Sequence, residues 1–329
     1  MIADNASFAL ERLLGLCAGD SLVLISDPTA DLSVVQALAE AVSACGASHV
    51  AISMPAALEM GDDLPAAVAA AVATADAVVL VSSWFPAWVA TSGMWRAINE
   101  YGTRVLHVDP PHRMVLESGM AEEDVTAIVD NGRVLEERLG AADGLLIVDR
   151  AGNELRCSIN AGNRHVSLEF PVQFGFTKLP SGVFTVAVTP GSYEGRIVWD
   201  AVDGIGAVAG DWIEVEVEQG GVTNVRGRGA GADYVAEKVA VSRAFAQVTE
   251  FGVGTNPSVP SRDFLGEDWH EAANRHAGTV HYGLGSAHTA SGPAGRVPFH
   301  THLVSLDASV YAMPGRVPLV VSGTIFRDG

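Results

Sequence analysis

The sequence predicts an α/β fold in two parts: an N-terminal doubly wound parallel-sheet domain over residues 1–155 and a β-rich α+β domain over residues 156–329. Three observations predict it. Short apolar runs alternate with longer helical ones through the first half, the pattern of a parallel sheet with crossover helices. After about residue 152 the texture changes to glycine-rich β segments, with no low-complexity linker. Six of the ten histidines (His270, His276, His281, His288, His300 and His302) then fall within residues 249–302.

In chain order, residues 6–18 have the periodicity of a short amphipathic helix. Ser21–Ser26 is a continuous apolar strand ended by Asp27-Pro28. Asp31 can cap a helix over Leu32–Cys45, and Gly46 closes it. Strands follow at 50–54, 77–81, 104–108 and 145–148, the last expected as a fifth member of the same sheet, with helices at 64–75 and 122–139. The loop after the first strand reads Asp27-Pro28-Thr29-Ala30, so the first domain carries neither a GxGxxG dinucleotide fingerprint nor a phosphate loop. The stretch from Trp84 to Trp88 is aromatic and reads as packing, as a subunit contact, or as a loop covering a site in the other domain.

In the second half, strands are expected at 165–170, 183–188, 195–200 and 211–217. A turn at Gln219-Gly220-Gly221 precedes 222–225, and a helix spans 233–247 with Val235, Val239 and Phe245 on its apolar face. Strands at 278–284, 297–304, 309–312 and 317–325 finish the chain; Pro318 near the start of the last suits an edge or terminal strand.

Composition narrows the partners. A net charge of −19 over 329 residues argues against nucleic acid and anionic membrane. Cys17, Cys45 and Cys157 are sparse, odd in number and form no CxxC, as in a reducing cytoplasm. The start Met1-Ile2-Ala3-Asp4-Asn5 has no signal-peptide pattern, and no apolar run is long enough to span a bilayer. A cytoplasmic location is expected.

The histidine-rich window points to a metal. If the apolar stretch 297–304 is a strand, His300 and His302 share a face and can reach one ion. Glu250 precedes Phe251-Gly252-Val253-Gly254, and His281 precedes Tyr282-Gly283-Leu284-Gly285; both are expected at element ends, before glycine turns. Glu250, His281, His300 and His302 are the candidate ligands, and a carboxylate with imidazoles suits iron or zinc. His270, His276 and His288 read as surface or supporting residues.

Glu250-Phe251-Gly252-Val253-Gly254-Thr255-Asn256-Pro257, Gly278-Thr279-Val280-His281-Tyr282-Gly283-Leu284-Gly285 and His300-x-His302 resemble the three C-terminal motifs of the aminopeptidase T-like metallopeptidase superfamily. Leu179-Pro180-Ser181-Gly182-Val183-Phe184-Thr185, Tyr193-Glu194-Gly195 and Val198-Trp199-Asp200 extend the resemblance over most of the chain. That superfamily also contains 2,5-dihydroxypyridine 5,6-dioxygenase, a mononuclear non-heme iron enzyme, and the Pro180-Ser181-Gly182 form looks closer to that branch. The departures from the peptidases are specific. Gly182 stands where they carry a metal-binding glutamate, and His302 stands where they carry an aspartate. With Glu250 as the one clear carboxylate ligand, a two-metal cluster is disfavoured and one ion per chain is expected. His288 falls where the peptidases have an active-site tyrosine, which implies an acid or base; apart from the resemblance it reads as an exposed loop histidine.

The resemblance implies a mononuclear non-heme Fe(II) dioxygenase acting on a small hydroxylated aromatic or N-heteroaromatic ring, with O2 as second reactant and a homo-oligomeric assembly. Glu250, His300 and His302 would hold the metal, with His281 a fourth ligand or a base. His281 and His288 are the candidate catalytic residues. The alternatives are a single-metal amide hydrolase, with Zn(II) activating water, and a non-catalytic family member.

Overall fold

The computed structural model describes residues 2–59, 61–83, 91–117, 122–159, 167–168, 175–186, 188–203, 205, 210–259, 270–285 and 299–328. The 84–88 aromatic stretch and His288 lie outside the described residues, as does most of the 165–170 strand. The strands in chain order are β1 (Ser21–Ser26), β2 (Ser48–Ser53), β3 (Ala77–Val81), β4 (Arg104–Val108), β5 (Gly144–Val148), β6 (Glu154–Ser158), β7 (Ser167–Leu168), β8 (Phe176–Leu179) and β9 (Val183–Val186). They continue as β10 (Glu194–Trp199), β11 (Ala201–Val202), β12 (Trp212–Glu218), β13 (Gly221–Arg228), β14 (Val248–Gly254), β15 (Val280–Gly285), β16 (His300–Ser305), β17 (Ser309–Met313), β18 (Val317–Val321) and β19 (Thr324–Ile325). Contacts divide the chain into two units: Met1–Val125 with Glu169–Ser181, and Thr126–Leu168 with Gly182–His288 and Val297–Gly329.

The first unit is a parallel sheet in the order β2-β1-β3-β4-β8. β3 is buried along its whole length. One face packs on the N-terminal helix and Leu32–Cys45 through Leu10, Leu38 and Val42; the other packs on Ala66–Val72 and Ser92–Glu100 through Val68, Val72 and Met94. A strand covered on both faces needs no polar alternation, which is why β1 and β3 read as unbroken apolar runs. The Asp31 side chain accepts from Ser33 N at 2.8 Å and caps Leu32–Cys45. Gly46 closes that helix at φ +81°, a conformation glycine reaches without a Cβ penalty.

Three expectations are corrected. Residues 144–148 do not join the parallel sheet: β5 pairs antiparallel with β6 and β17, and β8 takes the fifth place beside β4. A buried apolar run carries no alternation and so does not reveal its neighbours' direction. The 233–247 helix spans Ala230–Val241. Beyond it, Val222 N donates to Ala246 O and Val248 N to Gly220 O, and the chain is held as a partner of the β12–β13 turn. The opening helix covers Ile2–Phe8 and widens to a π turn over Ala9–Leu13.

The second unit holds two sheets, β13-β12-β10-β6-β5-β17-β18-β19 and β11-β16-β15-β14-β9-β7. They share one core, in which Trp199, Tyr193, Tyr282, Phe184 and Phe251 are fully buried. Trp199 meets Tyr282 edge-on, with ring centroids 4.4 Å apart. From the six-stranded sheet, Phe251, Val253, Tyr282, Leu284 and Leu303 point into this core. Because strand side chains alternate, Glu250, His281, His300 and His302 share the opposite face. No described helix is long and apolar enough to cross a membrane.

Candidate metal centre

Three adjacent strands carry the site. Pairing sets Glu250 of β14 opposite Gly283 of β15, and Gly283 opposite His302 of β16. One row along, Gly252 faces His281, which faces Val304; in the other direction Gly285 faces His300. Each ligand candidate therefore has a glycine as cross-strand neighbour on its own face. Glu250 and His302 lie two strands apart, about 10 Å between backbones. A side chain at Gly283 would fill that gap: a Cβ there would stand 2.7 Å from Glu250 Cγ and 2.9 Å from His300 Cε1. A Cβ at Gly252 would stand 2.3 Å from both Cε1 and Nε2 of His281, so that ring lies directly over Gly252.

Glu250 and His281 do not sit at element ends before turns, as the sequence suggested. Both are inside strands, and the glycines after them continue those strands. The alternating glycines leave one face of the sheet bare, and the polar side chains lie down on it.

The donor atoms converge. His302 Nε2 is 2.7 Å from Glu250 Oε1 and 3.1 Å from His300 Nε2, and His300 Nε2 is 3.7 Å from Glu250 Oε1. Donor atoms of Glu250, His281 and His302 lie within 4.8 Å of one another. His281 and His300 are 2% and 1% exposed, so these are buried donors.

A further carboxylate meets His302 from the other side. β11 pairs Val202 with Leu303, and the next residue, Asp203, donates its N–H to the His302 carbonyl at 2.9 Å. Its Oδ2 lies 3.0 Å from His302 Nδ1. Asn274 Nδ2 is 3.4 Å from the same nitrogen. Neither Asp203 nor Asn274 was singled out from the sequence. Asp203 borders a two-residue strand that has no pattern of its own, and Asn274 belongs to a short 3₁₀ segment, His270–Arg275.

Electrostatics separate the histidines. Burial alone would lower His302, but hydrogen bonds to Asp203 and Glu250 outweigh it and raise its pKa to about 9. Without a metal His302 is therefore an imidazolium held between two carboxylates. His281 is pushed well below its ordinary value, first by burial and then by the neighbouring His302 charge. It stays neutral, the form that binds a metal or accepts a proton.

His276 Nδ1 bonds Val259 O at 2.7 Å, a tie to the backbone. The His270 side chain and His288 are outside the described residues. Gly182 has φ +116°, and a Cβ there would stand 2.7 Å from the Asn256 Cβ, so this position offers neither a carboxylate nor room for one.

The profile of the family described as 2,5-dihydroxypyridine 5,6-dioxygenase matches residues 7–311. The chain is similar to the structure of 2,5-dihydroxypyridine dioxygenase from Pseudomonas putida KT2440, with a TM-score of 0.79 at 19% identity, covering 99% of this chain and 97% of that one. It is also similar to wild-type AmpT from Thermus thermophilus, with a TM-score of 0.67 at 18% identity and 99% of each chain covered. At these identities the likeness is one of fold. No curated protein matches the sequence.

Proposed function

Starting from the fact that the chain belongs to the 2,5-dihydroxypyridine 5,6-dioxygenase family, we propose that it is an Fe(II)-dependent dioxygenase that opens a small hydroxylated aromatic or N-heteroaromatic ring. The observation that carries this is the donor triangle of Glu250 Oε1, His300 Nε2 and His302 Nε2, with edges of 2.7, 3.1 and 3.7 Å. Donors about 2.1 Å from one ion and at right angles to each other stand about 3 Å apart. The triangle would therefore hold one ion with small adjustments. One carboxylate with two imidazoles on a single face is the donor set associated with non-heme iron.

Each residue has a role in this proposal. Glu250 supplies negative charge to the ion. His300 and His302 are fixed by consecutive same-face positions on β16. His281, buried and neutral, either completes the donor set or takes the proton of a substrate hydroxyl. Burial of the cluster keeps bulk water from competing with substrate. When bound, iron supplies the redox chemistry with O2 that ring opening requires. Gly182 leaves no place for a second-ion carboxylate, which supports one metal per chain. The reactants are then a small molecule and O2, and the free Cys17, Cys45 and Cys157 fit a reducing compartment. A homo-oligomer in the cytoplasm completes the proposal, and light scattering tests the assembly.

The test is reconstitution of metal-free protein under anaerobic conditions with Fe(II) or with Zn(II). Oxygen uptake with dihydroxypyridines and catechols is compared with cleavage of aminoacyl amides. Fe(II)-dependent oxygen uptake is expected. Amide turnover on Zn(II), with no oxygen consumed, would replace the dioxygenase by a single-metal hydrolase.

A further inference from the structure

We propose that Asp203 is a positioning residue of the metal site, acting through His302 to aim its Nε2 at the ion and supplying the second negative charge that the ion requires. This rests on the metal-binding role assigned above, and the geometry behind it is specific. Asp203 is tied to His302 twice, by N–H to carbonyl at 2.9 Å and by Oδ2 to ring Nδ1 at 3.0 Å. The backbone tie continues the β11–β16 ladder, so the carboxylate is held in the same cross-sheet row as Glu250, Gly283 and His302.

A proton on Nδ1 donated to Asp203 leaves the Nε2 lone pair facing Glu250 and His300. The other tautomer would aim an N–H into the metal position and set a lone pair against a carboxylate. Asn274 is the competing partner, but it lies farther away at 3.4 Å, and its amide N–H could not face a protonated Nδ1. Charge points the same way. A divalent ion beside Glu250 retains one uncompensated positive charge, and Asp203 supplies the second negative charge through the imidazole, about one ring away. Carboxylates placed behind metal-binding histidines act in this manner.

The experiment measures Zn(II) affinity of the full chain by competition with a chromophoric chelator, for wild type, Asp203→Asn, His302→Ala and the double variant. Asp203→Asn should weaken binding about 10- to 100-fold. In the His302→Ala background it should change affinity less than about twofold, because its effect passes through that ring. Ring ¹⁵N shifts of the Zn(II)-loaded wild type should show His302 protonated at Nδ1, a readout that needs no variant to fold. Wild-type affinity in Asp203→Asn, an equal loss in both backgrounds, or a ring protonated at Nε2 would each overturn the inference. Wild type that binds no Zn(II) overturns it together with the metal site. Zn(II) binding with the expected coupling, but no Fe(II)-dependent oxygen uptake, removes the dioxygenase and leaves the Asp203 role standing.

Discussion

Replacing Gly252 with alanine tests whether bare glycine positions create the site. Gly252 does not adopt a positive φ, so alanine brings no backbone strain at this position. Its new methyl would lie 2.3 Å from Cε1 and Nε2 of His281. Carbon–carbon contacts settle near 3.5 Å, so the ring must retreat by about 1.2 Å. Metal–ligand bonds tolerate roughly 0.2 Å. A misplacement of this size costs on the order of 100-fold where a catalytic group must hold position. Gly252→Ala should therefore lose the His281 contribution to metal binding and most activity while staying folded. Gly283→Ala should be worse, because its methyl meets both Glu250 and His300. Gly315→Ala is the control, since its nearest neighbour would be Val317 Cγ2 at 3.5 Å. Metal content by elemental analysis, affinity by chelator competition and thermal melts by circular dichroism give the comparison. Gly252→Ala and Gly283→Ala with wild-type affinity would show that the glycines serve the sheet alone and that His281 is free to move.

Other outcomes follow from the same geometry. Gly182→Glu should not build a second metal site: its Cβ meets Asn256 Cβ at 2.7 Å and φ is +116°, so metal content should stay near one per chain while the melting temperature falls. His300→Ala and His302→Ala should each bind metal more weakly, so that the purified variants carry less than one ion per chain with the fold retained, and either keeping full metal content would make that residue a packing histidine. The raised pKa of His302 sets a pH dependence with a definite sign. Its folded value of about 9 exceeds the ordinary 6.5, so metal-free protein holds this stabilisation fully below pH 6.5 and loses it as pH rises through about 9. The shift corresponds to roughly 3 kcal/mol at most. Metal must displace the same proton, so binding at pH 7.5 should release about one, read by calorimetry in buffers of different ionisation enthalpy. No proton release would mean that His302 is not a ligand.

The sequence by itself determined the alternation of strands and helices, the positions of β1 to β4 but not of β8, and the same-face pair of His300 and His302. These are local signals: apolar period, an Asp31 cap, a Gly46 stop, and an i, i+2 pair of histidines. Sheet membership was not local. The apolar run at 144–148 reads the same whichever neighbours it has, and its antiparallel pairing with β17 was settled by residues 165 positions later in the chain. The glycines after Glu250 and His281 were legible as glycines, but not as the bare face of a continuous sheet, because a turn and a strand can share that composition. Asp203 is the clearest case. Nothing in its own stretch marks it, and its 3.0 Å approach to His302 exists because β11 and β16, a hundred residues apart, lie side by side. Residue types and short-range period are written in the chain; which carboxylate stands behind which imidazole is decided by the register of strands that meet only when the sheet forms.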